Sequence, residues 1–325
     1  MRYSIFPKAE QKVSRVTYGS FGMAGVFGSY SETDFIQSVL HALERGVNMI
    51  DTARGYGPAE QLIGQALKEW KGERPFIATK VQARGSVAGW GIPESVEHDF
   101  PPGAIKEDVE HSLRELGIDT IDLLQLHRYW PNWDYSDYWM EELERVKEEG
   151  KVRFVGVSIP DQRHDIALPL VRSGKIDSIQ TVFNIFDPLP LDCLIPECQK
   201  HDVAVIARCV LDEGGLTGFL RQDTTFADGD YRKSFFGSVP REMYIERVDR
   251  LRSFIPQYAA SLAELAIRFV LQHPAVTTAA ISMHVPQYTE ENIAAADRDP
   301  LPPAVFEELR KHHRWVRNFY DNKFW

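Results

Sequence analysis

Short apolar segments typical of β-strands alternate with longer amphipathic segments along almost the whole chain, and this alternation constrains the fold more than any other feature. Such alternation indicates βαβ units and a parallel sheet. Eight strand-like segments occur, at residues 15–19, 47–51, 76–80, 121–127, 153–158, 178–183, 203–208 and 277–282. Eight units predict an α/β fold of the (β/α)8 (TIM) barrel type, and a length of 325 residues suits one domain covering residues 1–325.

The segments between the strands carry the boundary signals of helices. In residues 31–45, Ser31 and Asp34 have the spacing of a capping box, and Gly46 follows the last turn. A glycine that adopts the left-handed conformation is a common helix end. Three further predicted helices precede such a glycine: 59–71 before Gly72, 106–116 before Gly117 and 138–149 before Gly150.

The charge balance excludes several classes of partner. The formal net charge is −10, and no dense run of lysine or arginine occurs, so we expect no nucleic-acid partner and no anionic membrane surface.

The first residues lack the apolar core of a signal peptide, which predicts a cytoplasmic protein. Cys193, Cys198 and Cys209 lack metal-type spacing, so we expect packing thiols, no disulfide framework and no metal.

Three of the predicted strands end in a side chain that can exchange a proton or carry charge. Asp51, Lys80 and His127 close the second, third and fourth strands, and Tyr56 lies five residues after Asp51. Because the carboxyl ends of parallel barrel strands open onto one mouth, we expect these four side chains to meet there. Taken separately, the charged pair is equally consistent with a structural ion pair, and His127 and Tyr56 with packing.

Together these four residues predict a proton-transfer site. A phenol with a pKa of about 10 is a poor acid at neutral pH, and a cation within about 4 to 6 Å lowers that pKa. We therefore expect Lys80 to make Tyr56 more acidic, Asp51 to hold Lys80 charged, and His127 to supply another hydrogen bond. Such a group can protonate a carbonyl oxygen, and the hydride for that reaction has to come from a nicotinamide cofactor.

Two long βα loops and the C-terminal tail are expected at the same mouth. The loops are 81–103 and 211–240, and the tail 319–325 is too aromatic for a solvated terminus, so we expect it to cover the mouth. Trp90, Trp130 and Trp133 are predicted either to line an apolar substrate pocket or only to cover the barrel.

The segment Asp51-Thr52-Ala53-Arg54-Gly55-Tyr56-Gly57-Pro58-Ala59-Glu60 resembles the D-T-A-x-x-Y-G-x-x-E signature of the aldo-keto reductases, and six downstream blocks follow in the family's order. The resemblance implies an NAD(P)H-dependent reductase of aldehydes or ketones. By the same resemblance, Tyr56 is the general acid, Lys80 and Asp51 tune it, and His127 orients the carbonyl of a small-molecule substrate.

The resemblance also implies how the dinucleotide is held. The cofactor residues implied are Gly19, Ser20 and Asp51 beside the nicotinamide, Ser158 and Gln180 at its carboxamide, Arg208 where many members stack a tyrosine, Leu211, Gly214, Leu216, Thr217 and Gly218 around the pyrophosphate, and Ser282, His284, Glu291 and Asn292 towards the adenosine. NADPH is the expected cofactor. NADH is possible, because His284 and Tyr288 stand where basic residues often bind the 2′-phosphate.

Two other functions use the same barrel. Some relatives are cofactor-binding, redox-sensing regulatory subunits of membrane channels, and the intact set of four residues weighs against that reading. A Schiff-base lyase would use Lys80 as its nucleophile, and the tyrosine of the signature weighs against that.

Overall fold

The computed structural model describes residues 1–28, 30–85 and 95–316. Its strands are β1 (Tyr3–Phe6), β2 (Gln11–Ser14), β3 (Val16–Gly19), β4 (Met49–Asp51), β5 (Phe76–Gln82), β6 (Ile121–His127), β7 (Val152–Ser158), β8 (Ser178–Val182), β9 (Ala204–Arg208) and β10 (Val276–Ser282). The last eight are parallel and close a barrel in the order β10-β3-β4-β5-β6-β7-β8-β9. The predicted (β/α)8 barrel is confirmed, and each of its strands lies within two residues of the expected bounds.

A hairpin that the sequence did not predict closes the amino-terminal end of the barrel. Strands β1 and β2 pair antiparallel. The ring of Phe6 packs 5.1 Å from that of Phe76 and 5.6 Å from that of Phe154, near the starts of β5 and β7. Because apolar side chains fill this end, the open mouth lies at the carboxyl ends of the strands.

The helices surround the barrel. They are α1 (Glu32–Glu44), α2 (Ala59–Glu69), α3 (Val96–Asp99), α4 (Ala104–Leu116), α5 (Tyr138–Glu148), α6 (Leu168–Ser173), α7 (Leu194–Lys200), α8 (Tyr231–Gly237), α9 (Arg241–Arg250), α10 (Leu262–Leu271), α11 (Pro286–Ala296) and α12 (Pro303–His312). The capping box at the start of α1 is confirmed, because Ser31 and Asp34 each accept a hydrogen bond from the other's backbone N–H at 3.1 Å.

The glycine ends of the helices are confirmed in three cases and wrong in one. Gly46, Gly117 and Gly150 all have positive φ. Gly72 does not, because α2 ends at Glu69 and the chain becomes extended at Trp70. The indole N–H of Trp70 donates to the Glu73 carbonyl at 2.8 Å, so a side chain holds this turn and no left-handed residue is needed.

The described parts of the long loops contain local structure. Helix α3 lies in the first loop and α8 in the second. Trp133 is buried, with its ring 5.5 Å from Phe100, so it covers the barrel. Trp90 and the tail 319–325 lie outside the described residues. Over the described ranges, no helix combines the length and the apolar character that a membrane crossing requires.

Helices α2 and α4 pack at close range through Gly64, and this contact yields a stability prediction. A Cβ atom at Gly64 would overlap the backbone carbonyl oxygen of Glu115. We expect Gly64→Ala to lower the free energy of unfolding by about 2 kcal/mol or more, since backbone has to move. Urea unfolding measures the change. The matched control is Gly237→Ala, because nothing lies within 4 Å of a Cβ there; equal stability of the two variants would contradict the close approach.

Candidate active site

A buried ion pair joins two neighbouring strand ends at the mouth. The ammonium of Lys80 lies 2.7 Å from Asp51 Oδ2 and also donates to the Thr52 carbonyl at 2.8 Å. The side chain of Lys80 is fully buried and that of Asp51 is 7% exposed. A charge this deep in the protein has to be paired and hydrogen-bonded, and both groups meet that condition.

Tyr56 lies directly above this pair. A tight turn after β4 carries it, in which its backbone N–H donates to the Ala53 carbonyl at 3.0 Å. The Lys80 ammonium lies 5.0 Å from the centre of the Tyr56 ring, and the His127 ring is 5.9 Å away in an edge-to-face arrangement. The four residues that the sequence singled out therefore do come together.

The electrostatics of Tyr56 differ from the expectation. Burial raises the pKa of its phenol, Lys80 opposes that effect by lowering the pKa, and Asp51 raises it again. The net direction is upward, so the expectation that Lys80 makes this phenol unusually acidic is wrong for the protein without ligands. Desolvation outweighs the neighbouring cation. The phenol is therefore protonated at neutral pH.

His127 is an uncharged imidazole at neutral pH. Burial lowers its pKa well below the ordinary value, and the positive charges of Lys80, Arg208 and Arg128 lower it further. A neutral imidazole can donate one hydrogen bond and accept another. It can therefore bind an uncharged oxygen atom at the mouth without carrying charge of its own.

Lys80 does not have the properties of a Schiff-base nucleophile. Burial acts to lower the pKa of its ammonium, but Asp51 and Tyr56 raise it, and the net direction is upward. A nucleophilic lysine needs a lowered pKa and a free amine. The charge and the two hydrogen bonds of Lys80 contradict the lyase reading.

Six of the residues expected to bind the cofactor or the substrate carbonyl lie in two rows of the barrel. Ser282, Gly19 and Asp51 are laterally paired in one row, and His127, Ser158 and Gln180 in another. A Cβ atom at Gly19 would lie 3.1 Å from backbone atoms of Ile281, so a larger residue there requires the backbone of β10 to shift by a few tenths of an ångström.

The polar side chains in and beside these rows have only some of their possible hydrogen-bond partners within the protein. The Ser20 hydroxyl is buried and has no hydrogen-bond partner among the described residues. Gln180 donates to Asp51 Oδ1 at 2.8 Å across the barrel, so part of its amide is already used within the protein. Ser158 is buried beside it.

The glycine-containing segment after β9 forms a compact turn. Gly214 and Gly218 both have positive φ and flank a short 3₁₀ helix, Gly215–Thr217. Leu216 is fully buried and Leu211 half-buried, so these two pack against the protein, whereas Thr217 is exposed.

At the adenosine end, a ring cluster surrounds His284. The rings of Tyr30 and Tyr288 lie 4.8 and 5.7 Å from the His284 ring. Burial, assisted by Arg232, lowers the pKa of His284 to about 4. Asn292 is buried and donates to the Ser282 carbonyl at 3.3 Å, whereas Glu291 is exposed.

Arg208 belongs to a polar network that sequence reasoning missed. Its guanidinium donates to Asp161 at 2.6 Å and to the Ile159 carbonyl at 3.0 Å. Nearby, the Cys209 thiol lies 3.3 Å from Glu213, and burial raises the pKa of Glu213 to about 7. Asp161 and Glu213 follow strands, as Asp51 does, but nothing in their local sequence distinguishes them from surface loop residues.

Arg128 and Phe21 are the other mouth residues that sequence reasoning missed. Arg128 directly follows His127 and is half-buried. Phe21 follows the Gly19-Ser20 turn, and its ring lies 5.1 Å from that of Tyr56. Adjacency to predicted site residues was the only signal available for either.

Comparison with known proteins agrees with this geometry. The chain is 28% identical over 299 residues to the NADH-specific methylglyoxal reductase of Escherichia coli (strain K12), which covers 87% of this chain and 90% of the relative. It is 25% identical over 293 residues to the L-galactose dehydrogenase of Arabidopsis thaliana, covering 87% and 84%.

Solved structures with the same fold include the holo form of the aldo-keto reductase AKR11C1 from Bacillus halodurans, with a TM-score of 0.76, 27% identity and coverage of 96% of both chains. The glycerol dehydrogenase AKR11B4 from Gluconobacter oxydans gives a TM-score of 0.77 at 26% identity, covering 96% of this chain and 95% of that one. The sequence profile of the Aldo/keto reductase family matches residues 15–314. The chain belongs to the aldo/keto reductase family of oxidoreductases.

Proposed function

We propose that the protein reduces aldehydes or ketones to alcohols with a nicotinamide dinucleotide, and that Tyr56 donates the proton to the carbonyl oxygen. The observation that carries this proposal is the position of Tyr56 over the buried Lys80–Asp51 pair. The raised pKa keeps the phenol protonated before reaction, as an acid requires. Lys80 then stabilises the phenolate that remains after the proton has left.

In this mechanism His127 binds the same oxygen as Tyr56. Because its imidazole is neutral, His127 donates a hydrogen bond to the carbonyl oxygen and fixes its position without competing as an acid. The ring of Phe21 covers another side of Tyr56 and limits the access of water. The protein thus supplies binding, orientation and the proton.

The mouth has features that suit a dinucleotide. The Ser20 and Thr52 hydroxyls are buried with no hydrogen-bond partner among the described residues. We assign the pyrophosphate to the compact turn from Gly214 to Gly218, whose exposed residue is Thr217. When bound, the nicotinamide supplies the hydride that side chains cannot provide.

Tyr56→Phe tests the acid. We expect turnover to fall by roughly 10²-fold or more with the dissociation constant of the dinucleotide nearly unchanged, because only the proton donor is lost. Steady-state oxidation of NADH or NADPH with a reactive aldehyde measures the first quantity, and fluorescence titration the second. Tyr135→Phe is the matched control, since that side chain is 96% exposed. A Tyr56→Phe enzyme with full activity would refute the assignment.

We propose further that NADH is preferred over NADPH, which revises the expectation from sequence. His284 is uncharged at neutral pH, Tyr288 carries no positive charge, and the guanidinium of Arg232 is already held by both oxygens of Asp230. A 2′-phosphate needs cationic partners to compensate its loss of solvation. The NADH-specific relative from Escherichia coli agrees with this proposal.

Tyr288→Arg tests the cofactor preference. Tyr288 is 44% exposed, so a longer polar side chain can be accommodated there. We expect the ratio of NADPH to NADH affinity to rise roughly 5- to 10-fold, because one charge-assisted contact to phosphate is gained. Titration with each dinucleotide gives the ratio, and Tyr135→Arg controls for the added charge. Wild-type protein that binds NADPH more tightly than NADH would contradict the proposed preference.

The thiols are consistent with a reducing compartment. Cys193, Cys198 and Cys209 are all unpaired, and we propose a cytoplasmic location on this ground.

A further inference from the structure

Arg128 is a half-buried cation beside the reacting groups that has no partner of its own. It follows His127 at the end of β6, and among the residues that the structure describes its guanidinium makes no hydrogen bond and no ion pair. Burial lowers its pKa; the charge of Asp161 opposes this effect, Arg208 lowers the pKa further, and Asp99 raises it. Five N–H donors left without acceptors in a partly desolvated position are destabilising.

Several arginines elsewhere in the described chain are paired, among them two exposed ones and one partly buried one. Arg74 and Arg153 both contact Asp122, and Arg268 contacts Glu264 at 2.9 Å. Arg128 differs from the arginines at Asp122 in its position. Asp122 lies near the start of a strand at the closed end of the barrel, whereas Arg128 lies at the open mouth. An unpaired charge that persists beside reacting groups indicates a role in binding.

The charges around the mouth do not neutralise Arg128. Asp51 is engaged by Lys80 at 2.7 Å, and Asp161 accepts from Arg208 at 2.6 Å. Glu213 is the other acidic side chain in this network, and its raised pKa of about 7 leaves it only partly ionised at neutral pH. Lys80, Arg208 and Arg128 carry one positive charge more than Asp51 and Asp161, and Asp99 raises the pKa of Arg128 without forming an ion pair with it among the described residues.

We propose that Arg128 binds a carboxylate of the substrate, so that the preferred substrates are small aldehydes or ketones that also carry a carboxylate group. This inference rests on the proposed carbonyl reduction. A guanidinium offers two parallel N–H donors that match the two oxygens of a carboxylate. With Tyr56 and His127 binding the carbonyl oxygen and Arg128 binding the other end, a short oxo acid is fixed at two points.

The test compares 4-oxobutanoate with its methyl ester, since the two aldehydes differ only in the carboxylate charge. We expect kcat/KM of the wild type to be roughly tenfold or more higher for the acid. In Arg128→Gln, kcat/KM for the acid should fall roughly 10- to 100-fold, mainly through KM, while that for the ester falls far less. Arg128→Lys should retain part of the preference for the acid, because it keeps the positive charge but loses the two parallel N–H donors of the guanidinium.

The matched control is Arg163→Gln. Arg163 belongs to the loop after β7 and its side chain is 50% exposed, so the acid-to-ester ratio should stay at the wild-type value. The melting temperature of Arg128→Gln should equal or exceed that of the wild type, because an unpaired charge is removed. An unchanged acid-to-ester ratio in a folded Arg128→Gln protein overturns the inference.

Two further outcomes separate this inference from its premise. If Arg128→Gln instead weakens NADH binding, Arg128 serves the dinucleotide and the inference is wrong. If neither aldehyde is reduced, the proposed function fails, and calorimetric titration with succinate then tests the carboxylate site alone. Succinate binding that Arg128→Gln abolishes supports the site, and absence of binding to the wild type overturns it.

Discussion

The buried ion pair between Lys80 and Asp51 is the interaction on which the site depends. Each group would be strongly destabilising alone, because neither charge has enough contact with water. The pair therefore fixes the ends of β4 and β5 relative to each other. Gln180 extends this constraint across the barrel, since it reaches Asp51 from β8 at 2.8 Å. Tyr56 is held over a charge that cannot move away.

The raised pKa of Tyr56 changes the role of Lys80. Burial makes ionisation of the phenol unfavourable, and Lys80 offsets part of that effect without reversing it. A proton that is present before the reaction can be donated, and a neighbouring ammonium favours the state that follows its loss. In the proposed mechanism, Lys80 therefore acts on the product of proton transfer more than on the resting phenol. A protonated Tyr56 is therefore compatible with a cation that lies 5.0 Å from the centre of its ring.

The barrel was predictable because each of its strands is a short segment rich in apolar residues, as a parallel sheet that is buried on both faces requires. The hairpin β1–β2 was missed because Tyr3 and Ile5 are exposed and Phe6 and Val13 are its only apolar side chains in the core, so no strong pattern marks it. The prediction that Gly72 ends its helix in the left-handed conformation was wrong, because a side-chain hydrogen bond from Trp70 stabilises the turn instead.

The sequence predicted which residues form the site. It did not predict how these residues change one another's pKa. Strand-end positions brought Asp51, Lys80 and His127 together with Tyr56, as expected from barrel geometry. The net direction of the Tyr56 pKa depends on how deeply the ring is buried, which no local pattern encodes. The partnership of Arg208 with Asp161 spans 47 positions and is equally invisible in local sequence.

The two ends of the barrel differ in how completely their polar groups are satisfied. At the closed end, Asp122 accepts hydrogen bonds from Arg74, from Arg153 and from the backbone of Ile77. At the mouth, Ser20, Arg208 and His284 each keep a buried polar atom that has no hydrogen-bond partner within the described ranges. Unsatisfied groups lower stability, so those at the mouth are explained if ligands complete them, whereas the Ser178 hydroxyl at the start of β8 is also without a partner among the described residues and has no such explanation. By the same reasoning, the closed end stabilises the fold, and the proposed dinucleotide and carboxylate-bearing substrate would complete the mouth.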